Sequence, residues 1–336
     1  MKNRDASVLM ISLWVLVILT VLAVSVGHRV SMVLRLAQYQ RDSVNAAFLA
    51  KAGISRASGI IDRDNNTYDA LNELWADNEA AFKKIVFGTN ADEFASVSYE
   101  VSDGGITKTI FGARDEESKI NIQTASKKLI MELGRDCFSD TVQLDKLAGY
   151  IQLWRGSGDD GGAVPTLGEK DKDFKKGAFA NPQELLVVLE YFFRDNGYQD
   201  YRKKARDFFA CVEDKITVWG EGKVNINTAP EDVLSKLFAS LTDQDKAAAL
   251  AADIAAQREA NLRDNPSQAP FSGVDDLNIK PENKALFLSL NPAPPVTFAK
   301  SKYFRIQAYG SCAQVRKDIV AVYNREEKKI VYWHEN

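Results

Sequence analysis

Two seven-residue segments of this chain are near-copies, Lys119-Ile-Asn-Ile-Gln-Thr-Ala125 and Lys223-Val-Asn-Ile-Asn-Thr-Ala229. Asparagine and threonine side chains bond readily to nearby backbone, so each segment reads as a short strand ending at a threonine helix cap. Thr228-Ala-Pro-Glu231 has capping-box spacing, and proline is tolerated early in a first turn. The other chemistry open to such a turn is phosphate binding, which needs glycine-rich backbone whose N–H groups cradle the anion. Ala239-Ser-Leu-Thr242 after the second segment has no glycine, and Gly134-Arg-Asp-Cys137 after the first has one glycine followed by an acid. The cradle is expected to be lost.

The loop Arg155-Gly-Ser-Gly-Asp-Asp-Gly-Gly162 is flexible, and Asp159 and Asp160 offer hard oxygen ligands suited to calcium. Glu169, Asp171 and Asp173 either extend that set or form a solvated acidic loop. No catalytic constellation stands out. The two histidines, His28 and His334, sit in no triad or metal-ligand spacing, and no GxSxG or P-loop sequence occurs, so no enzymatic activity is expected. Cys137, Cys211 and Cys312 form no CxxC pair, which argues against a zinc site. They leave open one disulfide with a free thiol, or three small buried thiols. Lysine and arginine number 43 against 46 acids, so nothing supplies a general pull on nucleic acid.

The elements that must position these residues begin with Val8 to Gly27, twenty residues without a charge and long enough to span a bilayer. Lys2 and Arg4 precede it, as suits a cytoplasmic N-terminus and an exported head. Beyond it no proline occurs as far as Ile61. Val30, Val33, Leu34 and Ala37 recur at helical spacing, as do Val44, Phe48 and Ala52. The pattern predicts one helix from Ser7 to Ile61, about 80 Å long, apolar all round at first and amphipathic later. A cleaved signal peptide ending near Ala23-Val24-Ser25 and an uncleaved signal anchor are the competing readings.

In the head, Val97 to Val101 and Ile106 to Phe111 alternate around Asp103-Gly104-Gly105 and predict a β-hairpin. Tyr303 to Tyr309, Val315 to Tyr323 and Lys329 to Trp333 predict three more strands, with Gly310-Ser311 and Asn324-Arg325 as turns. Helical patterning covers Ser126 to Leu153, Pro182 to Phe193, Arg202 to Cys211, Pro230 to Leu241 and Gln244 to Ala260. The fold class is α+β: a transmembrane, pilin-like helix and an antiparallel sheet, with a large helical domain inserted.

A long N-terminal helix with such a head resembles a type IV pilin or pseudopilin. The chain is most similar in pattern to the minor pseudopilin K family of type II secretion systems. The ordered features are an acidic segment before the first motif (Asp115 to Ile122), Ile151-Gln-Leu-Trp154 and Asn181-Pro-Gln-Glu-Leu-Leu186. The second motif, an arginine-bearing helix and Phe271-Ser-Gly-Val-Asp-Asp-Leu277 follow. The resemblance implies a leader of residues 1–6 cut between Ala6 and Ser7 by a prepilin peptidase, with methylation of Ser7. Alanine stands there in place of the usual glycine. It places Ile11 at the fifth mature position, where most pilins carry glutamate and this family characteristically does not.

The implied organisation is a helix over 7–61, a pilin-like α+β domain from 62–118 and 291–336, and an inserted helical domain over 119–290. Calcium is implied near the tryptophan turn, although Arg155-Gly156 replaces the usual acids there. The implied role is structural, at the tip of a periplasmic pseudopilus, initiating or capping assembly and supporting export across the outer membrane. Implied partners are the minor pseudopilins I, J and H, the major pseudopilin, the peptidase, the inner membrane, and secreted proteins or the outer-membrane secretin. The alternative is a membrane-anchored receptor of helix-hairpin-helix type, binding DNA or protein.

Overall fold

The computed structural model describes residues 3–89, 91–103, 106–158 and 174–335. Its first element is one unbroken helix, α1 (Asn3–Arg63). Then follow α2 (Glu79–Phe82) and strands β1 (Ile85–Val86), β2 (Phe94–Val97), β3 (Tyr99–Asp103), β4 (Ile106–Ile110), β5 (Arg114–Asp115) and β6 (Ile120–Asn121). Helices α3 (Lys127–Gly134), α4 (Thr141–Arg155), α5 (Glu184–Asp195) and α6 (Tyr201–Val212) lead to β7 (Ile216–Thr217) and β8 (Val224–Asn225). Next come α7 (Glu231–Ala239), α8 (Gln244–Asp264), α9 (Pro281–Ser289), β9 (Val296–Thr297), β10 (Tyr303–Cys312), β11 (Val315–Asn324) and β12 (Lys329–Glu335).

The main sheet has the antiparallel order β1-β2-β10-β11-β12, and β5 pairs with the start of β10. The second half of α1 lies across it. Ala50, Ile54, Ala57 and Ile61 pack on Ala95, Val97, Phe304, Ile306 and Ala321, and Trp75 and Phe82 close the edge. Small residues bring the helix close: a Cβ on Gly53 would sit 3.2 Å from that of Ala95. A second core, including Leu144, Val188, Phe192, Leu234, Phe238 and Ile254, is built from α3 to α9. There β6 pairs with β7 and β8 with β9 in two short parallel ladders.

Four local expectations are corrected. Val97 ends β2 beneath α1, and the hairpin is formed by β3 and β4 beyond it, with its Gly104-Gly105 tip outside the described residues. Gly310-Ser311 is not a turn. β10 runs on to Cys312, because Gly310 is where the α1 backbone crosses: a Cβ there would overlap the Ala46 carbonyl and lie 2.6 Å from the Ala50 nitrogen. The helix expected over 126–153 is split into α3 and α4, since Asp140 caps a new start by accepting the Val142 and Gln143 N–H groups. The threonines are not helix caps. Ser126 caps α3 by accepting the Leu129 N–H, and α7 follows Pro230 with no side-chain cap. Cys137 and Cys211 form a disulfide between the end of α3 and α6, and Cys312 is a buried thiol.

Candidate functional site: an apolar anchor and a buried polar junction

α1 is the one helix, among the described residues, long and apolar enough to cross a membrane. Its apolar run is exposed throughout, and Ile11 is 60% exposed on that surface. Ala6 and Ser7 lie within α1, one turn before Ile11. Whatever covers Ile11 lies outside this chain's own fold.

The two motifs were expected to start helices. Each does more. Asn121 and Asn225 fold back on the N–H groups of Gln123 and Asn227, making matching turns. A buried arginine braces each turn from a helix of the same pair. Arg155 Nη1 reaches the carbonyls of Ile122 and Ala125 at 3.1 and 2.8 Å, and Arg258 Nη1 reaches those of Ile226 and Ala229 at 3.0 and 2.6 Å. Gln123 and Asn227 then bond the carbonyls of Phe179 and Phe271. The near-repeat is therefore a repeated tertiary unit. Its geometry explains why Arg155 stands where the resemblance leads one to expect an acid.

The acidic segment ahead of the first motif is the seam between the two cores, and Asp115, Glu116, Glu117, Ser118 and Lys119 are all buried. Asp115 Oδ2 accepts from Asn225 Nδ2 at 3.0 Å, Thr228 Oγ1 at 2.6 Å and Ser301 Oγ at 2.7 Å. Thr228 is thus spent on a carboxylate 113 residues away rather than on its own helix. Glu116 accepts from Lys119 Nζ at 3.0 Å and from Arg305 Nε and Thr217 Oγ1. Glu117 accepts the Lys302 N–H at 2.7 Å. Nearby, Arg325 grips Asp69 with both terminal nitrogens and also bonds Asp64 and the Ser301 carbonyl.

Burial sets the electrostatics of this seam. It pushes Asp115 up to about 6, helped by the Asp69 charge and opposed by the Thr228 and Ser301 hydroxyls and the Glu117 N–H. It lifts Asp69 to about 7 even against Arg325, and Glu117 to about 7 with Asp115 adding to the effect. Burial also raises Glu116, but Arg305 and Lys119 together outweigh it and hold that carboxyl well below its usual range. Burial brings Lys119 down to about 7 against the pull of Glu116. Asp69, Arg305 and Arg325 carry no local signal in sequence; each is an isolated polar residue whose partner is remote.

Asp159 and Asp160, with Glu169, Asp171 and Asp173, lie outside the described residues. At the near end of that loop Trp154 Nε1 and Lys175 Nζ both bond Glu184. Elsewhere Asp64, Asp69 and Glu73 bring ligand-type oxygens within 4.8 Å of one another, but Arg325 and Lys300 meet the two aspartates and Trp75 Nε1 donates to Glu73. Asp140 and Asp243 cap the second helix of each repeat, so carboxylates occupy the N–H groups a phosphate would need there.

An apolar helix leaving a sheet-and-helix head is a pilin-like arrangement, and it fits a membrane-anchored, single-pass protein. Among solved structures the fold is similar to a chain of the GspK–GspI–GspJ complex from the type 2 secretion system of enterotoxigenic Escherichia coli. The TM-score is 0.55 at 13% identity, covering 91% of this chain and 99% of that one. The chain thus has a GspK-like minor pseudopilin fold. No protein-family model matches the sequence, and no curated protein does.

Proposed function

We propose that this chain is a minor pseudopilin of a type II secretion system, placed at the tip of the pseudopilus, where it initiates or caps assembly. The observation that carries the proposal is the unbroken α1, whose exposed apolar run over residues 8–27 continues as one helix into a GspK-like head. The solved neighbour is a complex with GspI and GspJ, and the proposal gives this chain counterparts of those two as partners. The Cys137–Cys211 disulfide suits a head exported to an oxidising compartment. Ile11 offers no carboxylate to a neighbour's amine, which suits a first subunit better than a repeated one. The receptor alternative lacks comparable support, because aspartates fill both candidate phosphate sites.

The test is intact mass and N-terminal sequence after expression with and without a prepilin peptidase. A start at Ser7 that depends on the peptidase is expected. A start near Val26, or an intact Met1 in both samples, overturns the proposal.

A further inference from the structure

A cavity of about 210 Å³ opens beside the seam, between the outer face of β10 and the start of α5 and end of α6. Successive strand residues face opposite sides of a sheet. Phe304, Ile306 and Ala308 pack in the core beneath α1, so Arg305 and Gln307 face the other way, and both line the cavity. Arg114 of β5 and Lys119 line it too, and Pro182 and Phe209 give it a small apolar wall. The side chains of Arg114, Lys119 and Arg305 are 14%, 2% and 12% exposed, so three cations are largely withdrawn from water here.

One buried carboxylate, Glu116, answers both Lys119 and Arg305, and it takes Arg305 only at Nε. The two terminal nitrogens of Arg305 make no hydrogen bond among the described residues, and the Trp219 ring lies 5.6 Å from the guanidinium. The side-chain amides of Gln183 and Gln307 are likewise unbonded among the described residues. Two acids stand at the rim. Asp214 is 77% exposed and holds Arg114 through a carboxylate oxygen and its carbonyl, while the exposed Glu213 hydrogen-bonds to none of the three cations. Buried cations that outnumber their buried anions carry an unrepaid desolvation cost. A planar pair of guanidinium N–H groups matches a carboxylate. The rim acids repel a dianion more than a monoanion, which disfavours phosphate and sulfate. Each glutamine amide adds a donor and an acceptor of the kind a peptide bond beside that carboxylate would use.

We propose that this cavity binds a monovalent carboxylate, taken end-on by the two terminal nitrogens of Arg305 while Nε stays on Glu116. Free carboxylates and acidic side chains carried on a polypeptide share that chemistry. The site belongs to the head and stands whether or not the chain is a pseudopilin.

The test is calorimetric titration of the full chain in detergent at low salt. The probes are acetate, the peptide N-acetyl-Gly-Glu-Gly-amide, its glutamine counterpart, and sulfate. The glutamate peptide or acetate is expected to bind with a Kd of about 1 mM or tighter. The glutamine peptide and sulfate should bind at least about tenfold more weakly. A glutamate peptide that binds more tightly than acetate assigns the carboxylate to a polypeptide; equal or weaker binding assigns it to a free small acid. Arg305→Lys keeps a charge for Glu116 but removes the terminal fork, and should weaken binding about tenfold. Glu213→Gln should tighten it about threefold by removing a like charge from the rim. Glu213 is exposed and outside the core, so its variant reads the site even where Arg305→Lys unfolds the head. No binding of either carboxylate, sulfate or the glutamine peptide bound as tightly, or an affinity that Glu213→Gln leaves unmoved overturns the proposal, as does a folded Arg305→Lys that binds like the native chain.

Discussion

Glu116 is fully buried and is the anion on which two cations, Arg305 and Lys119, both depend. Replacing it by glutamine leaves both charges in a dry seam, so Glu116→Gln is expected to cost about 3–5 kcal/mol in urea unfolding. A loss within about 1 kcal/mol of zero, the range of an exposed ion pair, counts against the seam as a coupled unit. Asp69, Asp115 and Glu117 make a second prediction. Each binds its proton more tightly folded than unfolded, since burial raises it to between about 6 and about 7. Folding is therefore favoured progressively as pH falls from those values toward the ordinary carboxylate range. Lys119 acts in a different window: its penalty develops as pH falls from its unfolded value to about 7, and is constant below that. Between pH 7 and 5 the melting temperature should rise by this contribution, and Asp115→Asn should flatten the slope. A wild-type profile that falls over this range contradicts the assignment.

At the scale of elements, the contact between α1 and the sheet is set by missing side chains. Gly310 lies under the α1 backbone, which cannot move aside as a flexible side chain can. Gly310→Ala is expected to cost about 1–3 kcal/mol or more, and Gly53→Ala less, since its contact is with the Ala95 methyl. Thermal unfolding of both variants checks the order. In the helical core, the disulfide spans 74 residues between the end of α3 and α6. Chain-entropy arguments put the loss for the Cys137→Ser, Cys211→Ser pair at about 4 kcal/mol. Equal stability of oxidised and reduced protein rejects it.

For the whole molecule, an apolar shaft meets a head whose two cores are joined through buried polar groups instead of apolar packing alone. The seam's partners come from β5, β7, β8 and β10 and the turns beside them, so it fixes the helical core on the sheet. A tip subunit needs such a fixed relation if its head is to meet neighbours in one orientation. Under the proposed function, Ile11→Glu places an unpaired carboxylate in the apolar run, at a cost of about 2.5–3.5 kcal/mol at full membrane depth. Secretion of exported protein should fall while Ser7 processing persists. Unchanged secretion removes the significance of Ile11.

The sequence by itself determined the elements with a dense local pattern: the α1 helix, the three C-terminal strands, most helices of the inserted region, and the two repeated turns. Helix and strand periods are written in neighbouring residues, so a short window suffices to read them. It also marked the acidic segment before the first motif, without saying what the acids do. The short α9 and the break between α3 and α4 escaped, because few residues specify each. Tertiary structure alone decided that Thr228 serves Asp115, that Arg155 and Arg258 brace the turns, that Gly310 lies inside a strand and that Cys137 meets Cys211. Those choices depend on which elements stack against which. Burial makes an unpaired polar group costly, but the partner that removes the cost is brought in by the fold from many residues away, where no local spacing records it.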